Sequence, residues 1–551
     1  MSNNPFQIIY DLPEYLYQLG CRHVVLSPGS RCAPLSLAFF RYGKYQIDVV
    51  SDERSAAFIG LGIALNKKAP TILICTSGSA LYNYAPAVVE AFYQEIPLLI
   101  FSADRPPEWI DQQDGQTIHQ ENIFGPHVRK SYNLSPDYHL AQNQDTLVSI
   151  IKESYQIATA SPNGPVHLNF PFREPLYPTE ETKISSGIQI QLEKQSLPTF
   201  DISSYKAKVK SYSKILFVVG QQEDLKLQEL ISQLHVPIIS DSIGNARNCD
   251  HSIYLHDAIL FASKENELKE LQPDLIISIG KSVLSKPLKE FLRKSKASHW
   301  HIGKHVNPAD PFQLSKETIL CDEADFISQL EVSSNKEFLS LWLKLQSSFE
   351  KKTNDYFNSP TSYHDFSALN ACLKHIPKNS TLHLANSMSV RFVNYFNTKD
   401  LLIQSNRGVS GIDGVVSTAV GYSSVDSNFN TVIIGDQAFF YDRNSFWNKV
   451  DTAQLRIIVI NNGGGAIFGM IDGPSKQKEL IEAFIAPHDN EANFWCEENE
   501  VEYHRCADFE SLNKALSNFY TPSKKAKLIE VITPFDESIK EFKSFKAILK
   551  S

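Results

Sequence analysis

The chain has 551 residues, of which 42% are hydrophobic and 21% are charged, and its formal net charge is −9. One hydrophobic core rarely serves so long a chain, so we expect three or four domains of a globular protein. The acidic balance argues against a nucleic-acid-binding surface. No apolar run has the length of a membrane span and residues 1–10 lack a secretion-signal pattern, so we expect a cytoplasmic protein.

The eight cysteines are scattered through the sequence. They include no CxxC pair, and no Cys and His residues stand at the spacing of a zinc site. This pattern predicts reduced thiols in a reducing compartment, rather than a disulfide framework or a structural metal. It agrees with the cytoplasmic location expected from the lack of a signal pattern.

In the first third of the chain, three apolar segments predict buried strands, and each is followed directly by small or charged residues. The strands with the segments that follow them are 23–26 with 27–31, 71–75 with 76–79, and 97–101 with 102–107. A further strand is predicted over 166–170. Parallel strands that present polar residues at their carboxyl ends form the ligand-binding edge of a doubly wound α/β domain. We therefore predict such a domain over residues 1–180.

Two further α/β patterns follow a polar, proline-containing linker over residues 174–201. The strands predicted in the middle pattern are 215–219, 236–240, 275–279 and 299–303, and those in the last pattern are 382–384, 401–404, 431–434, 457–460 and 528–532. A charged helix predicted over 337–355 connects the two patterns. The predicted fold class is therefore α/β, with three doubly wound parallel-sheet domains over 1–180, 200–335 and 355–551.

The densest motif of the chain lies at the ends of two strands of the last domain. The strands and the residues that end them are 431–434 with Gly435-Asp436, and 457–460 with Asn461-Asn462 and three glycines. Apolar residues at helical spacing predict a helix over 444–455, which makes a βαβ unit with both polar tips at one sheet edge, where ligands bind. Carboxylate and amide oxygens beside glycines suit a Mg²⁺ ion that itself holds a diphosphate. An ordinary βαβ unit with a polar turn is the alternative interpretation.

A Gly-Asp pair followed, 26 residues after Asp436, by Asn462 resembles the diphosphate-binding motif of thiamine-diphosphate (ThDP) enzymes. The resemblance implies ThDP as cofactor and a Mg²⁺ or Mn²⁺ ion. The implied metal ligands are Asp436, Asn462 and the carbonyl group of Gly464. The residues implied for cofactor binding at this edge are Gly435, Asp436, Gln437, Ala438 and Asn462. The motif leaves two adjacent candidates, Asn461 and Asn462, for the asparagine that faces the metal.

The first domain contains a second feature of these enzymes. Glu53, within the segment 52–55, precedes an apolar segment that predicts a helix over 58–65. In the ThDP superfamily a Glu hydrogen-bonds a ring nitrogen of the aminopyrimidine and so promotes removal of the C2 proton, and the resemblance assigns this role to Glu53. Acidic residues are also common at helix starts because of the helix dipole. The assignment therefore depends on the diphosphate motif as well.

Six segments together resemble one family of ThDP enzymes, the 2-succinyl-5-enolpyruvyl-6-hydroxy-3-cyclohexene-1-carboxylate (SEPHCHC) synthases, or MenD family. They are 27–35, 52–55, 76–79, 102–108, 405–414 and 464–468. The resemblance covers the first and last domains densely and the middle domain thinly. It implies the ThDP-binding fold, with a pyrimidine domain, a middle domain and a pyrophosphate domain in that order.

The family decarboxylates 2-oxoglutarate on ThDP and adds the resulting succinyl carbanion to isochorismate in menaquinone biosynthesis. Both substrates are polyanions, so arginine and lysine side chains are expected around them. The residues implied for isochorismate are Ser30, Arg31, Arg105 and Lys286. Those implied for carboxylates derived from 2-oxoglutarate are Arg391 and Arg407. Which arginine serves which substrate stays open, and a single exposed arginine is more often only a solvated charge.

The remaining pocket residues follow from the same resemblance. Those implied for the cofactor are Ser77, Gly78, Ile412, Ile467 and Phe468, and those implied for the substrates are Gln116 and Ser387. Ile412 is expected to wedge between the two rings of ThDP and keep them bent. Ile467 and Phe468 are expected to line the pocket, although both are equally typical of core residues.

Two other functions stay open at this point. One is a different ThDP-dependent 2-oxo acid decarboxylase or carboligase with a neutral or monoanionic acceptor, which the set of expected cations disfavours. The other is an inactive oligomeric scaffold, which has no physical need for Glu53 and Asp436 together. All of these functions predict a homodimer or a dimer of dimers, because sites of the superfamily form between the first domain of one chain and the last domain of another.

Overall fold

The computed structural model of the protein describes residues 6–177, 184–185, 187–192, 200–304, 309–359, 362–471 and 473–551. These residues form three six-stranded sheets, one after another along the chain, and every strand pair in them is parallel. Parallel strands with continuous apolar runs need helices on both faces of the sheet, and the helices of each domain supply this cover. The predicted α/β fold with three parallel-sheet domains is therefore confirmed.

The first domain contains the ligand-binding edge predicted between residues 23 and 107. Its strands are β1 (His23–Leu26), β2 (Gln46–Val49), β3 (Thr71–Cys75), β4 (Leu98–Asp104), β5 (Lys130–Asn133) and β6 (Val166–Pro171). Its helices are α1 (Gln7–Leu19), α2 (Ala33–Tyr42), α3 (Glu53–Lys67), α4 (Ser79–Gln94) and α5 (Ala141–Thr159). The strand order is β2-β1-β3-β4-β6-β5. Strands β3, β4 and β6 are buried along their whole length.

The middle domain repeats the α/β pattern. Its strands are β7 (Ile215–Val219), β8 (Ile238–Ser240), β9 (Ser252–Ile253), β10 (Leu275–Ile279), β11 (Ser298–Gly303) and β12 (Lys316–Leu320). Its helices are α6 (Ser203–Val209), α7 (Leu225–Ser232), α8 (His256–Ala262), α9 (Glu265–Glu270), α10 (Lys286–Arg293) and α11 (Glu323–Gln329), and α12 (Lys336–Asn358) leads to the next domain. The strand order is β12-β11-β10-β7-β8-β9. Helix α12 confirms the predicted charged connecting helix.

The third domain carries the diphosphate motif. Its strands are β13 (Thr381–Leu384), β14 (Leu402–Gln404), β15 (Asn430–Gly435), β16 (Leu455–Asn461), β17 (Glu502–Cys506) and β18 (Lys527–Ile532). Its helices are α13 (Asp365–Leu373), α14 (Met388–Val393), α15 (Val415–Ser423), α16 (Asp436–Tyr441), α17 (Ile467–Met470), α18 (Asn493–Glu498), α19 (Phe509–Phe519) and α20 (Phe535–Lys550), with a π-helical turn over Leu480–Ile485. The strand order is β14-β13-β15-β16-β18-β17.

The helix predicted over 444–455 is wrong. A 3₁₀ turn spans Arg443–Phe446, and the residues between it and β16 form no helix. The side chain of Asn448 accepts the N–H of Val450 at 2.9 Å. Such a local bond holds the backbone in a turn and competes with a helix. The helix of this crossover is instead α16, which begins directly after β15.

The linker predicted over 174–201 lies only partly within the described residues. Its described part runs along α1, where Asp11 accepts the N–H of Ser185 at 2.8 Å and Gln18 donates to the carbonyl of Ile188 at 2.8 Å. The three sheets lie inside the three predicted domains. The exact domain boundaries stay predictions.

The first and third domains share a hydrophobic core because α3 and α15 pack directly against each other. Gly62 of α3 and Gly421 of α15 permit this contact. A Cβ atom at Gly62 would overlap the carbonyl oxygen of Thr418, and one at Gly421 would overlap that of Ile59. Because α3 begins at Glu53, this packing also fixes the start of α3 relative to the third sheet.

All eight cysteines are buried and none forms a disulfide, which confirms the predicted free thiols. Burial raises the pKa of the Cys21 thiol to about 12, so this thiol stays protonated at neutral pH. Within the described ranges, no helix combines the length and the apolar character that crossing a bilayer requires.

Candidate active site

The carboxyl ends of β15 and β16, with residues 461–468, form the edge that we call the third-sheet edge. Because these strands are paired neighbours, Asp436 and Asn462 follow adjacent strand ends. Asp436 is buried, and its carboxylate accepts the N–H of Gln437 at 2.6 Å and the N–H of Gly464 at 2.9 Å. Burial raises the pKa of Asp436 to about 6, although these hydrogen bonds act in the opposite direction. The carboxylate is thus held in one orientation at this edge.

The two asparagines after β16 differ in what their amides contact. Asn461 donates to the carboxylate of Glu530 at 2.8 Å, and its Oδ1 accepts the N–H of Gly463 at 3.1 Å. Asn462 donates from Nδ2 to Asp365 at 2.7 Å, whereas its Oδ1 is buried and accepts no hydrogen bond. Asn462 is therefore the asparagine with an oxygen left for a cation, as the sequence assignment has it.

The unpaired atoms of the third-sheet edge fit a divalent cation that carries a diphosphate. Besides Asn462 Oδ1, the Nε2 atom of His488 is buried, forms no hydrogen bond and lies 3.6 Å from Asp436 Oδ2. The Nδ1 of His488 accepts the N–H of Asn490 at 3.2 Å, which places the ring proton on Nε2. A buried acceptor without a donor suits a cation, and a buried donor without an acceptor suits an anionic oxygen.

The donor set at this edge is typical of a hard cation. Within the residues that the structure describes, no group of three or more His, Cys, Asp and Glu side chains is placed to hold a metal. A metal here would thus rely on one carboxylate, one amide oxygen, the Gly464 carbonyl and the oxygens of a phosphate ligand, which suits Mg²⁺. The Gly464 carbonyl already accepts the N–H of Ala466 at 3.0 Å and has a second lone pair.

The segment around the π-helical turn closes one side of the third-sheet edge. Gln437 donates to the carbonyl of Ile485 at 3.0 Å, and the N–H of Gly465 donates to the same carbonyl at 2.8 Å. The rings of Phe468 and Phe484 lie 5.7 Å apart. The other residues predicted for the cofactor at this edge are Gly435, Ala438 and Ile467. Ala438 is buried and Ile467 is half-buried.

The carboxyl ends of β1, β3 and β4 form the corresponding first-sheet edge, next to the start of α3. Glu53 is half-buried there, and its carboxylate forms no hydrogen bond or ion pair with any described residue. Its two neighbours bind the third domain: Asp52 accepts from Asn444 at 2.8 Å, and Arg54 donates to the carbonyl of Tyr441 at 2.8 Å. The start of α3 is thus anchored while the Glu53 carboxylate is left available.

The end of β3 brings further predicted residues to this edge. Burial raises the pKa of Cys75, the last residue of β3, and the charges of Cys32 and Glu53 add to the effect. Ser77 Oγ is buried without a hydrogen-bond partner. Gly78 has φ +88°, and a Cβ there would lie 3.1 Å from the Cα of Gln116. The structure therefore places Ser77, Gly78 and Gln116 together.

The first-domain cations lie on the loops of the same edge. Arg31 is buried, and its Nε forms no hydrogen bond. The hydroxyl oxygens of Ser30 and Tyr177 lie 2.8 Å apart. Arg105 is paired with Asp114 at 3.2 Å. Two guanidinium groups are therefore present at this edge, one buried and one held in a loop.

The third-domain cations lie after β13 and β14. Ser387, with φ +71°, precedes α14, and Arg391 donates to its carbonyl at 2.6 Å. Burial lowers the pKa of Arg407, and the charge of Arg391 lowers it further, so the two guanidinium groups interact electrostatically. The buried carboxylate of Glu90, on α4, accepts the N–H of Gly408 at 2.7 Å and so holds the loop that carries Arg407.

The middle domain contributes Lys289 to this group, whereas the predicted Lys286 lies apart. Lys286 has a side chain that is 83% exposed, and it pairs with Glu290 at 3.6 Å. Burial lowers the pKa of the half-buried Lys289, and the charges of Arg407 and Arg391 act in the same direction. Lys289 and Arg407 line one cavity of about 800 Å³. We call Lys289, Arg391 and Arg407 the cation cluster; the role of Lys286 stays a prediction.

Sequence reasoning missed four residues of the site. They are Glu90, Lys289, Asp365 and His488. Only Lys289 had a usable signal, because it lies one helical turn after Lys286 on α10. The others act through contacts with residues far along the chain, such as the contact between Asp365 and Asn462.

Comparison with known proteins gives the family. The family model described as "Thiamine pyrophosphate enzyme, N-terminal TPP binding domain" matches residues 11–123, and "Middle domain of thiamine pyrophosphate" matches residues 213–384. A relative from Cytophaga hutchinsonii, named 2-succinyl-5-enolpyruvyl-6-hydroxy-3-cyclohexene-1-carboxylate synthase, is 44% identical over 99% of this chain and 99% of its own length. The chain belongs to the SEPHCHC synthase family.

Other SEPHCHC synthases are similar over nearly the same length. The relative from Phocaeicola vulgatus is 34% identical and covers 95% of this chain and 95% of its own length. The relative from Christiangramia forsetii is 35% identical and covers 95% of this chain and 96% of its own length. These matches confirm the predicted family and a ThDP-dependent enzyme, and the matching of the N-terminal domain model supports ThDP as the cofactor.

Proposed function

We propose that this chain catalyses the SEPHCHC synthase reaction, in which 2-oxoglutarate is decarboxylated and its succinyl unit is added to isochorismate for menaquinone biosynthesis. The observation that carries the proposal is the similarity to SEPHCHC synthases over 99% of the chain. The proposed cofactors are ThDP and Mg²⁺, or Mn²⁺ in its place. The proposed location is the cytoplasm.

In this proposal, the third-sheet edge holds the diphosphate end of the cofactor. Asp436, Asn462 and the Gly464 carbonyl bind the metal, which in turn binds the diphosphate. The free Oδ1 of Asn462 and the fixed carboxylate of Asp436 support this assignment. The Nε2–H of His488 is available to a diphosphate oxygen. Gly435, Gln437 and Ala438 border the same end.

The first-sheet edge holds the aminopyrimidine end. Bound ThDP supplies an electron sink for the bond that breaks in decarboxylation. We assign to Glu53 a hydrogen bond to a ring nitrogen of the aminopyrimidine, because its carboxylate has no other partner in the described residues. Ser77, Gly78 and Gln116 border the ring end, and Ile412, Ile467 and Phe468 shape the space between the two ends.

The cations bind and orient the two substrates. Both substrates carry two carboxylates, and guanidinium groups match carboxylates with paired hydrogen bonds. We assign carboxylates of 2-oxoglutarate to Arg391 and Arg407, with Ser387 beside them. We assign isochorismate to Ser30, Arg31, Arg105 and Lys286. Burial and the neighbouring charge of Arg391 lower the pKa of Arg407, so a bound carboxylate would stabilise its charged form, which supports the assignment of a dicarboxylate to this cluster.

We also propose that the working form is a homodimer or a dimer of dimers, with each site built by the first-sheet edge of one chain and the third-sheet edge of its partner. Large apolar side chains that are exposed beside both edges support this. Tyr82, on α4, is 57% exposed, and Ile412 is 44% exposed. A partner subunit and the cofactor rings would cover such side chains.

One assay tests the function. Purified protein receives ThDP, Mg²⁺, 2-oxoglutarate and isochorismate, and isochorismate loss is followed with and without the oxo acid. We expect loss that depends on 2-oxoglutarate and that releases one CO₂ for each isochorismate consumed. Loss that is independent of 2-oxoglutarate would reject the substrate pair. Equal turnover of a neutral acceptor in place of isochorismate would favour the alternative carboligase.

A further inference from the structure

The orientation of the Asn462 side chain decides whether it can bind a cation. The amide has an oxygen that accepts and a nitrogen that only donates, and the two ends have nearly the same shape. A hard divalent cation binds oxygen, so a reversed amide would present two N–H groups to the metal instead. Something in the protein must therefore fix which end of Asn462 faces the third-sheet edge.

Asp365 supplies that constraint from 97 residues away in sequence. It is the first residue of α13, it is 2% exposed, and its Oδ2 accepts a hydrogen bond from Asn462 Nδ2 at 2.7 Å. Both oxygens of the Asp365 carboxyl group accept hydrogen bonds, one from Thr533 and one from Asn462. The nitrogen of Asn462 must therefore face Asp365, and the oxygen must face away from it.

Asp365 is itself held on both sides. The hydroxyl of Thr533, which follows β18, donates to the other carboxylate oxygen of Asp365. The N–H of Asp365 donates to Ser538 Oγ at 3.3 Å. The carboxylate is thus fixed relative to the end of β18 and the start of α13, and its position determines that of the Asn462 amide.

Asn461 offers an internal comparison within the same chain. Its Nδ2 is also bound by a buried carboxylate, that of Glu530, at 2.8 Å. However, its Oδ1 is used by the N–H of Gly463 at 3.1 Å, whereas the Oδ1 of Asn462 has no donor. Both amides are oriented by an acid, and only the one oriented by Asp365 has an oxygen left to bind a ligand.

We propose that Asp365 is a positioning residue that fixes the Asn462 amide with its oxygen toward the divalent cation. This inference rests on the proposed role of Asn462 as a metal ligand. Groups that orient metal ligands from behind typically change metal affinity by about 10–100-fold when they are removed. Asp365 therefore sets the metal dependence of cofactor binding without contacting the metal or the cofactor.

The first experiment measures the Mg²⁺ concentration that half-saturates ThDP binding, by calorimetry, in the full-length protein. Asp365→Asn keeps the shape of the side chain but adds an N–H₂ group that can donate to Asn462 Oδ1 and stabilise the reversed amide. We expect the half-saturating Mg²⁺ concentration to rise by about 10–100-fold. Thr533→Val is a graded comparison, because it removes one of the two side-chain hydrogen bonds to the Asp365 carboxyl group and leaves the one from Asn462 in place. We expect it to raise the half-saturating Mg²⁺ concentration by less than Asp365→Asn does.

A second variant distinguishes a positioning role of Asp365 from an effect of Asp365→Asn on folding. Asn462→Asp alone places two carboxylates in contact, and we expect weak metal-dependent ThDP binding. Combining Asp365→Asn with Asn462→Asp restores one donor and one acid in contact and again directs a carboxylate oxygen to the metal. We expect the double variant to bind Mg²⁺ and ThDP more tightly than either single variant, which a purely structural role of Asp365 would not produce.

The outcomes separate this inference from the proposed function. Wild-type Mg²⁺ dependence in Asp365→Asn, or no recovery in the double variant, would overturn the role of Asp365. Two other results would instead overturn the metal site itself. One is ThDP binding by the wild-type protein that does not depend on Mg²⁺, and the other is wild-type binding of Mg²⁺ and ThDP by the Asp436→Ala variant.

Discussion

The third-sheet and first-sheet edges differ in how far the chain itself orients their side chains. At the third-sheet edge, Asp436 is fixed by two backbone N–H groups and Asn462 by Asp365. At the first-sheet edge, the Glu53 carboxylate and the Ser77 hydroxyl have no hydrogen-bond partner among the described residues. One chain thus orients the side chains of the edge that we propose for the metal, whereas the edge that we propose for the cofactor ring leaves these two groups unpaired in the described residues.

Replacing Glu53 is expected to have the largest effect, and it tests whether the two edges differ in this way. Glu53→Gln keeps the size of the side chain and removes its charge. Proton-transfer groups typically contribute about 10²–10⁴-fold to the rate, so we expect kcat to fall by that range. Because the metal-binding half is built elsewhere, Mg²⁺-dependent ThDP binding and the melting temperature should stay close to wild type. A variant with unchanged turnover would refute the role of Glu53.

Hybrid dimers test whether the two edges of one site come from two chains. We expect Glu53→Gln and Asp436→Ala proteins, each inactive alone, to recover activity when they are mixed and exchange subunits. Random pairing makes about half of the dimers hybrid with one intact site each, so the mixture should reach about a quarter of wild-type activity. Mass spectrometry of the mixture verifies exchange. Exchange without recovery would mean that each site is built within one chain.

Activity should fall when a residue of the cation cluster is replaced, and it should not fall when a nearby charged residue is replaced. A charged hydrogen bond contributes about 1.5–3 kcal/mol. For Arg407→Ala and Lys289→Met we therefore expect kcat/KM for 2-oxoglutarate to fall by about 10–100-fold, mainly through KM. Lys294→Met is the control, because this exposed lysine ends the same helix as Lys289. Equal losses in Lys294→Met would argue for a general charge effect.

A buried network attaches the middle domain to the helix that carries Arg391. His256 faces acceptors with both ring nitrogens: Nδ1 lies 3.1 Å from the carbonyl of Ile253, and Nε2 lies 3.1 Å from Asp241. The ring therefore binds best as the imidazolium. Asp241 also accepts from Asn394, the residue after α14, at 3.2 Å. This network is thus a second part of the molecule in which the chain itself orients the side chains.

The smallest expected effect is a pH dependence of stability that arises from His256. Burial lowers the pKa of His256, but the hydrogen bond to Asp241 and the charges of Asp257 and Asp241 outweigh it and raise the pKa above its ordinary value of 6.5. This stabilisation is complete below about pH 6.5 and is lost as the pH rises through the higher folded-state pKa. Burial lowers the pKa of the nearby Arg247 to about 10, so this group stays mostly charged up to pH 9.

His256→Gln measures this contribution. We expect the variant to lose about 1–3 kcal/mol of unfolding free energy at pH 6 and less at pH 9, as urea unfolding would report. Mg²⁺-dependent ThDP binding should be unchanged at pH 7.5. A difference from wild type that is the same at both pH values would contradict the imidazolium assignment.

The sequence predicted the central strands and the outer strand β14 and missed the other outer strands, for one physical reason. The missed strands are β2, β5, β9, β12 and β17, and each lies at the outer edge of its sheet. Their residues are partly exposed, so they need no continuous apolar run. Central strands such as β3 are buried on both faces and show that run plainly.

The site was predictable where chemistry follows directly after a strand or begins a helix. Asp436, Asn462 and Glu53 all have this position, and their residue types carry the signal. Asp365 and Glu90 do not, because each acts on a residue that is distant in sequence through one hydrogen bond. Lys286 was predicted from a motif and its role stays a prediction, whereas Lys289 of the same helix, which no motif indicated, lines one cavity with Arg407. Which side chains of a helix face a cavity depends on tertiary packing, and no local sequence pattern shows it.

The backbone contact between α3 and α15 has a mechanical consequence. Because no side chain separates the helices at Gly62 and Gly421, the first and third sheets cannot slide or hinge without breaking main-chain packing. The first-sheet edge and the third-sheet edge of one chain therefore keep a fixed relative position. For the same reason, cutting the chain at its linkers would expose the apolar side of α3 to solvent and would not release two functional halves.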